Sequence, residues 1–91
     1  MSKKTGIGSE KTILLTNEVG LHARPAARFV RMAARFKSTV RVIKGENEAD
    51  AKSITSILFL DAKKGDEITI RSVGEDSALA LETLVELVMS L

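Results

Sequence analysis

The sequence predicts an α+β domain in which four strands form one sheet and three helices cover one of its faces. Apolar residues recur at helical spacing over residues 23–36 and again near the C-terminus, whereas residues 67–71 alternate strictly between apolar and polar. The intervening segments complete the order β-α-β-β-α-β-α. Each helix must bury its apolar stripe, and a two-layer arrangement of helices on a sheet is the economical solution for 91 residues.

Length and composition limit the kind of protein. Residues 1–9 carry glycines and lysines and are expected to form a flexible arm before a single domain at residues 10–91. The absence of cysteine excludes a disulfide scaffold and fits a reducing compartment. No apolar run has the length of a membrane span and no signal peptide is recognisable, so we predict a cytoplasmic, soluble protein without membrane insertion.

Charge and aromatic content argue against a nucleic-acid partner. The net charge is only +2, and three Phe with no Trp or Tyr leave no stacking surface for bases. No metal site is predicted either, because the chain has one His and no Cys, and the nearest acid in sequence, Glu18, lies in a turn.

The strands are predicted from short β-compatible or alternating segments bounded by turns. In the second strand Val40 and Val42 face inward and Arg41 outward, and in the fourth Ile68 and Ile70 face inward. The four predicted strands are residues 11–16, 39–44, 48–51 and 67–71.

The helices are predicted from apolar spacing and from their start signals. The first runs from Ala23 to about Phe36, and the second follows Ser53 as its N-cap. Spacing places Ile54, Ile57 and Leu58 of the second helix on its core face and leaves Phe59 as an exposed contact. Residues 74–77 supply the turn and N-cap of the last helix, whose apolar stripe comprises Leu81, Leu84, Val85, Val88 and Leu91.

The only His and the only Pro stand three positions apart at the start of the first helix. Pro25 is tolerated only in the first helical turn, so the helix begins close to Ala23 or Arg24. His22 therefore lies at the N-terminus of this helix. A helix N-terminus presents unpaired N–H groups and a positive dipole end, which favour an anion beside His22. From the residues alone, His22 is either a helix cap or a nucleophile.

Four arginines fall on one stripe of the same helix. A solvated helix face and a docking surface for an acidic partner both fit this pattern. The stripe comprises Arg24, Arg28, Arg31 and Arg35.

Three motifs resemble those of the histidine-containing phosphocarrier proteins, HPr and the nitrogen-branch NPr, of bacterial phosphotransferase systems. GLHARPA (residues 20–26) is similar to the family's active-site motif, AKSI (51–54) to its regulatory-serine motif, and KGDEI (64–68) to its turn into the final strand. The resemblance covers residues 10–91. It implies an open-faced β-sandwich, in which three helices cover one face of a four-stranded antiparallel sheet.

The resemblance also implies roles for single residues. His22 would accept the phosphoryl group, Arg24 would pair with it, and the helix start at Ala23, Arg24 and Pro25 would bind the phosphate. Ser53 would be a site for a regulatory kinase, although an N-cap role accounts for it equally well. Partners would dock on a surface that includes Arg28, Arg31, Ile54 and Leu58.

Three residues depart from the family pattern. Thr55 and Ser56 stand where the family usually has a hydrophobic residue followed by Gly, and Asp61 stands where Gly is common. We expect these departures to affect the choice of partner and to leave the phosphoryl chemistry untouched.

The function implied is that of a monomeric carrier without cofactor or metal, rather than a self-sufficient enzyme. It would accept a phosphoryl group on His22 from enzyme I and pass it to IIA proteins or domains in sugar uptake or its regulation. The alternative is a regulatory module that acts through phospho-Ser53, with a Ser kinase/phosphorylase and a transcription regulator as partners. A basic anion-binding domain has only the arginine stripe in its favour. Acid-labile phosphate would indicate the first function, and acid-stable phosphate the second.

Overall fold

The computed structural model describes residues 8–91, and the elements occur in the predicted order β-α-β-β-α-β-α. The strands are β1 (Gly8–Leu14), β2 (Thr39–Lys44), β3 (Asn47–Asp50) and β4 (Glu67–Val73). The helices are α1 (Ala23–Ala33), α2 (Ile54–Leu60) and α3 (Ser77–Met89). Within residues 8–91, no helix has the length and apolarity needed to cross a membrane.

The four strands form one antiparallel sheet with the order β1-β4-β2-β3. The central strand β4 pairs with β1 from Gly8 opposite Val73 to Leu14 opposite Glu67, and with β2 from Thr39 opposite Val73. Because the side chains of a strand alternate between faces, this register places one apolar row on a single face of the sheet. The predicted fold class, an open-faced sandwich, is confirmed.

The covered face of the sheet and the three helices enclose the core. Ile68 and Ile70 of β4 and Val40 and Val42 of β2 are fully buried, as the alternation predicts. Phe29 of α1 is also fully buried and has the largest side chain of the core. The opposite face is polar, and Thr12 and Thr69 share a hydrogen bond of 2.7 Å there between their hydroxyls.

Several boundaries differ from the prediction by one to three residues: both ends of β1 and of β3, the end of β4 and the end of α1. Gly8 and Ser9, assigned to the flexible arm, lie in β1, since β4 extends to Val73 and offers them partners. The rest of that arm, residues 1–7, lies outside the described residues. Helix α1 ends at Ala33 rather than Phe36, because the N–H groups of Arg35 and Phe36 bond to carbonyls three residues back in a tighter turn.

The core face of α2 differs from the prediction. Ile57 and Leu60 are buried, whereas Ile54 and Leu58 are 41% and 40% exposed. With about 100° of rotation per residue, the direction midway between Ile57 and Leu60 lies about 90° from Ile54 and farther from Leu58. Apolar spacing over two turns does not define which side faces the sheet. Phe59 is 84% exposed, as expected for a contact residue.

Asp76 joins the start of α3 to the chain that follows α1. It occupies the N-cap position without a side-chain bond to its own helix; its carboxylate instead accepts hydrogen bonds from the Ser38 hydroxyl and from the N–H groups of Lys37 and Ser38. These bonds, the Ser38 hydroxyl first, lower the pKa of Asp76 from 3.8 to about 2. Asp76 therefore links the start of α3 to the segment after α1, a contact that the sequence pattern does not indicate.

The Asp76 contacts predict a loss of stability in acid. Because the pKa is lower in the folded state, the carboxylate stabilises the fold fully above about pH 4, and this contribution is lost as the pH falls toward 2. Asp76→Asn should lower the urea midpoint at pH 7 and flatten its decline between about pH 4 and 2. Glu75→Gln removes a neighbouring exposed charge and serves as the control. An Asp76→Asn profile that runs parallel to the wild type would contradict this role.

Candidate functional site

The segment from Leu15 to His22 is fixed to the loop between α2 and β4 by backbone hydrogen bonds. The N–H of Leu15 donates to Asp66 O at 2.9 Å, the N–H of Gly65 donates to Leu15 O at 2.8 Å, and the N–H of Leu21 donates to Ala62 O at 2.9 Å. Leu15 and Leu21 are also almost fully buried. This double attachment fixes the position at which α1 begins.

Gly20 permits the closest part of this attachment. Its φ is +58°, and the Asn17 side-chain amide donates to its carbonyl at 3.0 Å. A Cβ at this position would lie 2.2 Å from Ala62 O and 2.8 Å from the Cα of Lys63. Both the backbone conformation and the close approach therefore require glycine.

His22 is the N-cap residue of α1, in agreement with the predicted helix start. Its backbone is extended, with φ −128° and ψ 167°, and its side chain makes no bond to the helix. The side chain is 34% exposed and its Nε2 lies 2.9 Å from Asp61 Oδ1. Ala23, the next residue, has φ +52°, which for a residue with a Cβ costs about 1–2 kcal/mol and is typical of functional sites.

The N-terminus of α1 is open toward solvent. No side chain of residues 8–91 caps it, and no acidic residue lies in its first turn. Ala23 and Arg24 are exposed, Pro25 is half-buried, and Arg24 makes no ion pair or side-chain hydrogen bond with another residue between positions 8 and 91. Orphan N–H groups, the positive dipole end and an unpaired guanidinium together form an environment that favours an anion beside His22.

Asp61 is the contact of His22 that sequence reasoning missed. It is the C-cap of α2 in the left-handed region, with φ 53°. Its Oδ2 lies 3.3 Å from Lys63 Nζ, and its carbonyl accepts a hydrogen bond of 2.9 Å from Lys44 Nζ. The hydrogen bond from His22, then that from Lys63, lowers the pKa of Asp61. Asp61 was expected to affect only the choice of partner; in the structure its carboxylate contacts the imidazole of His22.

The predicted docking residues lie on two helices that pack against each other, α1 and α2. Arg28 and Arg31 are exposed and, with Arg35, line a surface cavity of about 510 Å³. Ile54 and Leu58 are exposed on α2, beside the more exposed Phe59. The arrangement supplies basic side chains on one helix and apolar side chains on the other.

Ser53 is the N-cap of α2, as predicted. Its hydroxyl accepts a hydrogen bond from the Ser56 N–H at 3.2 Å. The side chain is half-buried, and helix capping accounts for its position.

Among residues 8–91 there is no group of three or more His, Cys, Asp or Glu side chains that could hold a metal ion. The acid that contacts His22 is Asp61, not Glu18, which is paired with Lys64.

Comparison with known proteins identifies the class of protein. The model of the family described as "PTS HPr component phosphorylation site" matches residues 9–90. The Phosphocarrier protein HPr of Pseudomonas aeruginosa is 43% identical over 77 residues, which are 84% of this chain and 86% of that protein. The Phosphocarrier protein NPr of Shewanella violacea is 33% identical over 79 residues, 87% of each.

The fold agrees with these relatives. The crystal structure of HPr-C-His from Thermoanaerobacter tengcongensis superimposes with a TM-score of 0.88 at 40% identity, covering 90% of this chain and 92% of that one. The chain therefore belongs to the HPr family of phosphocarriers of the phosphotransferase system.

Substitution of Gly20 tests how the site is attached to the fold. Gly20→Ala should lower the free energy of unfolding by about 2–5 kcal/mol, because it adds left-handed strain to a clash with backbone atoms. Gly45→Ala is the matched control, since Gly45 has φ +59° and no atom within 4 Å of an added Cβ. It should cost only the strain, about 1–2 kcal/mol. Equal losses in urea unfolding would show that the contact with Ala62 contributes nothing.

Proposed function

We propose that this protein is a cytoplasmic phosphocarrier that accepts a phosphoryl group on His22 from enzyme I and passes it to IIA proteins or domains, in sugar uptake or its regulation. The observation that carries the proposal is the position of His22, an exposed imidazole at an uncapped helix N-terminus in a chain of the HPr family. Family membership supports phosphoryl transfer in general. The assignment to His22 rests on the site itself.

An imidazole suits a carrier, which must both accept the phosphoryl group and release it. Acceptance needs a nitrogen with a lone pair, which neutral imidazole supplies. The open end of α1 favours the dianionic phosphoryl group by about 0.3–1 kcal/mol, and by up to ~2 kcal/mol in a good geometry. Stabilisation of this size favours the phosphorylated state about twofold to fivefold, and about thirtyfold at the upper limit, and so does not trap the group.

Arg24 is assigned the neutralisation of the phosphoryl oxygens. It is exposed one residue beyond Ala23, on the first turn of α1, and its guanidinium has no acidic partner in the described chain to displace. A guanidinium can bind two phosphoryl oxygens through parallel N–H donors. Transfer between proteins is mostly positioning and charge neutralisation, so a small carrier can take part while its partners supply the rest of the site.

The docking surface is proposed to comprise Arg28 and Arg31 of α1 with Ile54 and Leu58 of α2. Side chains as exposed as Ile54 and Leu58 contribute little to the core, and with Phe59 they form an exposed apolar area on α2, the helix that packs against α1. Together with the exposed arginines of α1, this area fits a partner with an apolar centre and acidic residues around it. The cavity lined by Arg28 and Arg31 is completed by Leu87 of α3, so it lies on the side of α1 that faces α3.

Regulation through Ser53 remains a hypothesis. The hydroxyl caps α2, and a phosphate at a helix N-terminus is electrostatically tolerated, so modification is compatible with the fold. Ser53 directly precedes Ile54 of the proposed docking surface, which is where an added negative charge would oppose an acidic partner.

Replacement of His22 tests the function directly. His22→Ala should accept no acid-labile phosphate from enzyme I and labelled phosphoenolpyruvate, while its melting temperature stays within a few degrees because the ring caps nothing. Arg24→Ala keeps the acceptor and should slow transfer by about tenfold to a thousandfold, the effect of losing one charge-assisted contact. Labelling of His22→Ala at the stoichiometry of the wild type would overturn the assignment.

Charge reversal tests the docking surface. Arg28→Glu should lower the association rate with enzyme I by about threefold to tenfold at low salt, and the wild-type rate should fall with rising salt. Arg41→Glu is the matched control, because Arg41 is similarly exposed but lies in β2 and pairs with Glu48 at 3.9 Å. A salt-independent rate, or equal slowing by both variants, would show that Arg28 is a solvated residue and not part of the docking surface.

A further inference from the structure

We infer that Asp61 is a positioning residue for phosphoryl transfer, which holds the proton of the His22 imidazole on Nε2 and leaves Nδ1 as the atom that accepts and donates the phosphoryl group. This inference rests on the proposed function of His22. Its basis is the contact of 2.9 Å between His22 Nε2 and Asp61 Oδ1, made by a residue that the family pattern does not predict.

The direction of this hydrogen bond follows from the chemistry of its partners. An ionised carboxylate has no proton to donate, so a neutral imidazole bound to it must donate its N–H from Nε2. The same ring then has its lone pair on Nδ1, which faces away from the carboxylate. In other proteins a carboxylate likewise fixes the tautomer and orientation of a reactive or ligating imidazole.

Asp61 is held so that it can perform this role. Lys63 Nζ lies 3.3 Å from its second carboxylate oxygen, and Lys44 donates to its carbonyl. Lys44 also lies 3.4 Å from Asp66 Oδ2, and Asp66 accepts the N–H of Lys63, so the loop around Asp61 is internally connected. These contacts keep the carboxylate ionised and limit its movement away from the ring.

Acceptance of the group changes the charge of the ring. The Nδ1 lone pair forms the bond to phosphorus, while the bond between phosphorus and the donor atom of enzyme I breaks and its electron pair stays on that donor atom. Nε2 keeps its proton, so the His22 ring becomes positive as the phosphoryl group becomes attached. The Asp61 carboxylate lies against this developing charge, on the nitrogen farther from the phosphoryl oxygens.

Donation is the reverse step and benefits from the same contact. The electron pair of the N–P bond returns to Nδ1, and with Nε2 protonated the leaving group is neutral imidazole. A ring that had lost the Nε2 proton would have to leave as imidazolate, which is a far stronger base and a poorer leaving group. The N-terminus of α1 favours the phosphorylated state, whereas Asp61 supports transfer in both directions.

The left-handed backbone of Asp61 allows its carboxylate to be removed without disturbing the end of α2. Glycine tolerates φ 53° without strain, so Asp61→Gly removes the carboxylate and preserves the end of α2. Glu18→Gln is the control for net charge, because Glu18 is exposed on the segment before His22 and pairs with Lys64 at 3.3 Å rather than with the imidazole.

The first measurement needs no partner protein. At about pH 8.5, where an ordinary imidazole is neutral, the ¹⁵N chemical shifts of His22 report which nitrogen carries the proton. The wild type and Glu18→Gln should show the Nε2–H tautomer. In Asp61→Gly the shifts of the two nitrogens should move toward each other, as the Nδ1–H tautomer becomes populated.

The second measurement is phosphoryl transfer from enzyme I under steady-state conditions. Asp61→Gly should lower kcat about tenfold, the smaller effect seen when an outer partner of a ligating imidazole is removed, with KM changed by less than about twofold. Glu18→Gln should match the wild type. Asp61→Gly with wild-type kcat, or with unchanged ¹⁵N shifts, overturns the role of Asp61 alone. Wild-type protein that takes no label overturns the proposed function instead.

Discussion

The site depends on the attachment of one loop to another by backbone hydrogen bonds. The chain before His22 is bonded to the loop between α2 and β4 at Leu15 and again at Leu21, and Gly20 allows the two backbones to touch at Ala62. Leu15, Leu21 and Ala62 are buried where the two loops meet. The pairing of β1 with β4 brings both loops to one end of the sheet. The imidazole of His22 and the carboxylate of Asp61 meet because the sheet fixes the positions of both loops.

Short sequence patterns predicted the features that neighbouring residues determine, which are the start of α1 and the buried face of β4. Pro25 limited the start of α1 to within one residue, and the alternation around Ile68 and Ile70 gave the face of β4 correctly. The orientation of α2 was not predictable in the same way, since its two turns carry apolar residues around most of the circumference. Asp61 could not be placed beside His22 at all, because they are 39 positions apart and a single sequence carries no signal for that contact.

Two electrostatic features of opposite sign act on the imidazole. In the proposed mechanism, the open N-terminus of α1 and Arg24 attract the phosphoryl group, and Asp61 interacts with the positive charge that the ring gains. They act at different nitrogens, so neither cancels the other. A carrier must both accept and release the group; in the proposed arrangement the N-terminus of α1 and Arg24 favour acceptance, and Asp61 supports transfer in both directions. Lys63 and Lys44 complete it by neutralising the surroundings of the carboxylate.

The left-handed conformation at residue 61 has an evolutionary consequence. Position 61 ends a helix at φ 53°, where glycine and aspartate are both accepted and most other side chains are strained. Codons for glycine and aspartate differ by one nucleotide, so a lineage can gain or lose the carboxylate beside the histidine without passing through a misfolded intermediate. Transfer rates in such a family can then diverge through substitution at one position while the scaffold stays unchanged. The backbone geometry of a helix end thereby makes the reactivity of the adjacent imidazole open to selection.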